Sequence, residues 1–206
     1  MTFNGFNQED FNTFLIDGLS ERMEAIKERI QPKFKEIFHL LEDDVNEACG
    51  HKMYLHIAQH ARRTVNPPDD TWSAYCHNKR GYKKHPHFQI GLWEDHLFVW
   101  LAYIYESPYK KDIGKKFLSE IEDMRSIIPE NYYISLDHTK NEASLLKDTD
   151  LKKGLERFYK VKKGEFLVGK KFKSNDPIVQ DGDRLIKEMK HTVHTLAPIY
   201  RSSMAL

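Results

Sequence analysis

The 206-residue sequence is poor in cysteine: Cys49 and Cys76 are its only two. They are too few for a disulfide framework and too far apart for the paired spacing of a zinc knuckle, so both are read as reduced thiols. Net charge is also nearly absent. Thirty-two basic residues face 31 acidic ones, leaving +1. No global field therefore draws the molecule onto nucleic acid or anionic lipid, and any electrostatic role must be local. Long apolar runs are missing too. The run from Leu97 to Tyr105 is strand-length, far short of the roughly 20 residues a membrane span requires. The polar, acidic start MTFNGFNQEDF has neither the basic opening nor the apolar block of a secretion signal. A cytoplasmic location with no membrane partner is the expectation. Repeats, low-complexity segments and long linkers are absent as well.

What is present is a core-forming chain. A hydrophobic content of 40% suffices for one α+β domain spanning residues 1–206. Asn7 ahead of QEDFNTFL predicts a capped helix. Leu19, Met23, Ile26, Ile30, Phe34, Ile37, Leu40, Leu41 and Val45 recur at three- and four-residue steps, the mark of an amphipathic helix. Pro32 inside that stretch predicts a kink or a break. The middle third is aromatic and β-branched: Tyr54 to Arg62, Thr71 to His77, Phe88 to Glu94 and Leu97 to Glu106 read as four strands, with a tight hairpin at Glu94-Asp95. Short connections make them antiparallel. A helix follows Pro108 and ends before Pro129. Tyr132 to Leu136 reads as a strand, Leu151 to Val161 as a helix, Glu165 to Phe172 as a strand and Gly182 to about Ile199 as a closing helix. Lys140 to Asp150 is expected to be an exposed loop. The fold class is thus two-layer α+β, a mainly antiparallel sheet covered by helices.

Charge is concentrated in one place. Between Lys52 and His87 seven basic residues face only Asp69 and Asp70. Arg62 and Arg63 are expected on opposite faces of the first strand, and Lys79, Arg80, Lys83 and Lys84 in the following loop, all flanking Trp72, His85 and His87. Guanidinium groups take planar anions bidentately, lysines add point charge and aromatic faces stack. These residues form the candidate ligand site, for a small anionic, nucleotide-like molecule. A nucleic-acid or ribosome-associated module using the same strip, with Trp72, Tyr82 and Trp93 as stacking surfaces, is the alternative. A third reading is a structural domain whose lysine-rich loop merely protects a sheet edge.

His56, His60, His77, His85 and His87 share this third of the chain. HIAQH lacks the Glu of a metalloprotease helix, so the histidines are read as hydrogen-bonded structural groups and no metal is assigned. In SLDHTK, Asp137 precedes His138; an Asp that orients a His is one element of acid–base catalysis, but strand neighbours point to opposite faces. Asp137 joins the candidate ligand residues as a polar contributor. No nucleophile is identifiable, and the sequence names no cofactor, reaction or oligomeric state.

FNGFNQEDFNTFLIDGL, HARRTVNPPDDTW, NKRGYKKHPHFQIGLWE, SLDHTK and VKKGEFLVG together resemble the YktB-like proteins of Gram-positive bacteria, a family catalogued as a domain of unknown function. The resemblance implies a two-layer α+β domain with a topology comparable to the catalytic domain of biotin and lipoate ligases. It implies no activity. Those ligases cradle an adenylate with a Gly- and Arg-rich loop, whereas ARRTVNPPDDTW has no glycine repeat.

Overall fold

The capping signal at Asn7 starts α1 (Gln8–Asn12). The Asn7 side chain accepts from the Asp10 N–H, and the Asp10 carboxylate accepts from the Asn7 N–H. The computed structural model describes residues 3–205. The apolar repeat from Leu19 forms α2 (Leu19–Ala25) and α3 (Gln31–Cys49), joined by a π-helical turn, Ile26–Ile30. Pro32 lies in the first turn of α3, and the wider turn before it absorbs the missing N–H and the ring. The expected break is therefore a local widening of one continuous helical run.

Seven strands form one sheet: β1 (Tyr54–Ile57), β2 (Asp70–Cys76), β3 (His87–Trp93), β4 (His96–Tyr103), β5 (Tyr133–Ser135), β6 (Ser144–Leu145) and β7 (Phe166–Lys173). The spatial order is β1-β2-β3-β4-β7-β5-β6, every pair antiparallel. The α+β expectation holds, with three corrections. β1 ends at Ile57, not Arg62: after Ala58 donates to the Trp72 carbonyl, His60 takes a left-handed φ of 50° and the chain leaves the sheet. Arg62 and Arg63 thus sit in a loop, not on two faces of a strand. The helix after Pro108 is two, α4 (Lys110–Ser119) and α5 (Ile121–Ile127), parted at Glu120. The 140–150 segment carries β6 and a buried Leu146, whose N–H is bonded to the Tyr132 carbonyl.

One face of the sheet is covered by α3, α4, α6 (Leu151–Lys160) and, after the single turn α7 (Pro177–Gln180), α8 (Gly182–Met204). Tyr75, Phe88, Ile90, Val99, Leu101, Tyr103, Phe166 and Val168 point into that layer. Among the described residues no α-helix covers the other face. It carries Trp72, Ala74, Phe98, Trp100, Ala102 and Leu167, shielded by the connecting loops. Two glycines make this second face possible. Gly91 lies between Trp72 and Phe98 in the cross-strand register, and Gly169 between Trp100 and Tyr133. A Cβ at Gly91 would strike Phe98 and Trp72; one at Gly169 would strike the Val99 carbonyl.

Candidate functional site: a cleft on the loop-covered face

Because side chains alternate along a strand, the residues that leave the helix-covered face converge on the other one: Asp70 and Trp72 from β2, His87 and Gln89 from β3, and Glu165 just before β7. The β1–β2 loop is held over them by Arg22, a buried side chain of α2 that donates to the carbonyls of Ile16 and Pro68. The β5–β6 loop brings in His138, and the β2–β3 loop brings in Tyr82 and Lys83. Between them lies a cleft of about 400 Å³ lined by His60, Arg62, Arg63, Asp70, Trp72, Tyr82, Lys83, Glu106, His138 and Thr139.

His138 is its best-positioned group. The Glu165 carboxylate, 1% exposed, accepts both the His138 backbone N–H (2.8 Å) and its Nδ1 (2.8 Å). Glu165 as an acceptor places the proton on Nδ1. Nε2 is left as the lone-pair nitrogen, 3.4 Å from Lys83 Nζ. The imidazole edge meets Trp72 at 6.0 Å between centroids, and Lys83 Nζ lies 5.5 Å above the same indole. Trp72 Nε1 donates to the Tyr82 hydroxyl (3.0 Å), which fixes that wall.

Asp70 is 6% exposed and has no hydrogen-bond or ion-pair partner among the described residues. Burial pushes its carboxyl up to about 7, against the opposing pull of His138, Arg63 and Lys83. His60, bonded to the Thr71 hydroxyl at 3.1 Å, is driven down to about 4 by burial and by the charges of Arg63 and Lys83. His87, fully buried on the floor, is driven down to about 3, chiefly by burial. Its Nδ1 is bonded to the His85 carbonyl (2.7 Å) and its Nε2 to the Gln89 amide (2.9 Å). The cleft therefore combines an imidazole base with fixed orientation, a carboxyl group able to exchange a proton near neutrality, and cations at its mouth. That is the equipment of acid–base chemistry on an anion.

A family described as "Domain of unknown function (DUF1054)" matches residues 6–200, which include every residue of the cleft. The chain belongs to that family. Relatives include the UPF0637 protein ABC2405 of Shouchella clausii, 53% identical over 204 residues (99% of this chain and 97% of the relative). The UPF0637 protein OB1420 of Oceanobacillus iheyensis is 52% identical over 199 residues, 96% of each chain. A UPF0637 protein of Listeria monocytogenes is 47% identical over 204 residues, 99% of this chain and all of the relative.

Of the residues singled out in the sequence, Arg62, Arg63, Trp72 and Lys83 line the cleft. Arg63 also braces its own loop, donating to the Pro67 carbonyl at 2.9 Å. His87 lies in the floor beneath Tyr82, their ring centroids 5.0 Å apart. Lys84 lines an adjoining groove with His56 and Gly81. Lys79 and Arg80 do not reach the cleft: Lys79 lies over the Tyr54 ring and Arg80 is exposed. His85 turns away to meet His77. Asp137 caps its own turn, accepting from the Thr139 N–H (3.0 Å) and hydroxyl (2.7 Å). It does not orient His138; Glu165 does. Asp137, His138 and Glu165 do gather their donor atoms closely, but those hydrogen bonds already occupy the group.

Asp70, His138 and Glu165 were not apparent as one site from sequence. Glu165 is 27 positions from His138, and only β5–β7 pairing brings them together. The nearest sequence signal is that each is a polar residue at the edge of an apolar strand.

Proposed function

We propose that the loop-covered face binds a compact anionic metabolite bearing phosphate or carboxylate. Lys83 and Arg62 hold the anion, and His138, oriented by Glu165, exchanges a proton with the bound molecule with Asp70 as its partner. The observation that carries this reading is that Arg62 and Lys83, neither with a carboxylate partner among the described residues, meet a fixed imidazole in one concave space. The same geometry weighs against the nucleic-acid reading. Trp72 is walled in by His60, His138 and Lys83, and Tyr82 is packed against His56 and His87, so neither offers a free face to a base. The two buried free thiols support a reducing compartment, the cytoplasm, and one sheet joined to one helical layer supports a single domain.

Native mass spectrometry of the purified protein, followed by calorimetric titration with phosphate- and carboxylate-bearing metabolites, tests the reading. A bound anion whose affinity falls at least about tenfold in Lys83→Ala and Arg62→Ala, with a shallow salt dependence, supports it. Affinity unchanged in both variants would overturn the site. A steep salt slope with RNA would favour the nucleic-acid reading instead.

A further inference from the structure

Three histidines that the cleft does not use meet at one end of β2. His51 follows the left-handed Gly50 that ends α3, His77 follows β2, and His85 follows the short helical turn Tyr82–Lys84. His77 is the middle ring: its centroid lies 4.7 Å from that of His85 and 5.5 Å from that of His51. We propose that His51, His77 and His85 bind a first-row divalent transition-metal ion, with Zn²⁺ as the reference ion.

The spacing is the first argument. Two imidazoles on one tetrahedral zinc ion, with metal–nitrogen bonds of about 2 Å, place their ring centroids about 5 Å apart; the two observed separations bracket that figure. The second is an orphaned atom. His77 Nδ1 is buried and has no hydrogen-bond partner, a state rare for a polar atom in a folded protein unless something else serves it. The third is orientation. His51 Nε2 is bonded at 2.8 Å to the hydroxyl of Tyr200, a fully buried residue of α8. That outer contact holds the ring by the nitrogen away from the metal and leaves Nδ1 to coordinate, as outer partners of metal-bound histidines do.

Closing the third edge of the triangle requires the His85 ring to turn toward His51 while His51 stays on Tyr200. Three protein nitrogens leave one tetrahedral position open, so the ion keeps an exchangeable water or anion.

The full chain, stripped with a chelator, is titrated with Zn²⁺ by calorimetry and with Co²⁺ by visible absorption. One equivalent bound, with the intense visible bands of tetrahedral Co²⁺, is expected. Affinity should drop at least about tenfold in His77→Ala and in His85→Ala and stay unchanged in His138→Ala. His51→Gln, which retains a polar partner for Tyr200, guards against a folding defect; it too should weaken the metal while its thermal melt matches wild type. Absence of stoichiometric binding, or binding lost in His138→Ala and kept in His77→Ala, would overturn the proposal.

Discussion

The two faces of the sheet are built from the same strands and do opposite work. Toward the helices β3, β4 and β7 present Phe88, Ile90, Val99, Leu101, Phe166 and Val168, and the ionisable Lys170 of β7 is paired there with Glu188 of α8 at 2.6 Å. Toward the loops the strands and their ends present Asp70, His87, His96 and Glu165, all buried. The helix layer can bury its face because helices satisfy their own backbone groups and bring only side chains. Loops bring carbonyls, N–H groups and charged side chains, so the face beneath them can hold ionisable groups at the cost of shifted proton affinities. Stability is concentrated on the first face and pH dependence on the second.

Phe166→Ala tests that division most strongly. On the helix face it removes a fully buried ring and should cost about 3–5 kcal/mol while leaving the pH dependence of folding unchanged. That dependence has an acid limb: His60 and His87 are held neutral in the fold, so their contribution is present above about pH 6.5 and is lost as pH falls toward their depressed values. Urea unfolding between pH 4 and 8 measures both quantities. A changed slope in Phe166→Ala would dissolve the distinction between the faces.

Asp70→Asn should act in the opposite sense. The fold raises the Asp70 value to about 7. Its carboxyl is thus tolerated when protonated at low pH, and the penalty grows as pH rises from about 4 through 7. Removing the ionisable group should stabilise the protein at pH 8 by up to about 4 kcal/mol, change nothing near pH 4, and impair chemistry on the bound anion. Equal effects at both pH values would mean that Asp70 is paired.

Glu165→Gln is expected to cost about 1–3 kcal/mol, because it weakens a buried hydrogen bond to a charged acceptor. It should also release the imidazole: nitrogen NMR should show a single Nδ1–H tautomer of His138 in the wild type and a mixture in the variant. An unchanged spectrum would remove Glu165 from its positioning role. The smallest effect belongs to Lys79→Ala with Arg80→Ala, exposed charges beyond the cleft, which should alter stability by less than about 0.5 kcal/mol and leave anion affinity as it is. A loss of affinity there would restore the extended basic strip.

Much of this was legible before folding was considered. Helical periodicity, the Asn7 cap, the antiparallel meander and the Glu94-Asp95 hairpin are local signals, read within a few residues of where they act. The buried strands were harder to resolve: LFVWLAY is apolar at every position because β4 is buried on both faces, so its two sides could not be told apart. The basic residues were visible as a cluster, but composition placed Lys79 and Arg80 with Arg62 and Lys83, when the course of the β2–β3 loop carries Lys83 to the cleft and leaves Lys79 and Arg80 outside it.

The sequence by itself determined most of the elements, their order and the region where cations are concentrated, because hydrophobic period and capping chemistry depend on near neighbours. Only the tertiary structure decided that Glu165 and not Asp137 orients His138, that Asp70 is buried beside them, and that His51 joins His77 and His85. Each of those contacts joins separate segments of the chain, through strand pairing, loop placement or helix packing, and no local pattern encodes which distant side chain will fill the space opposite.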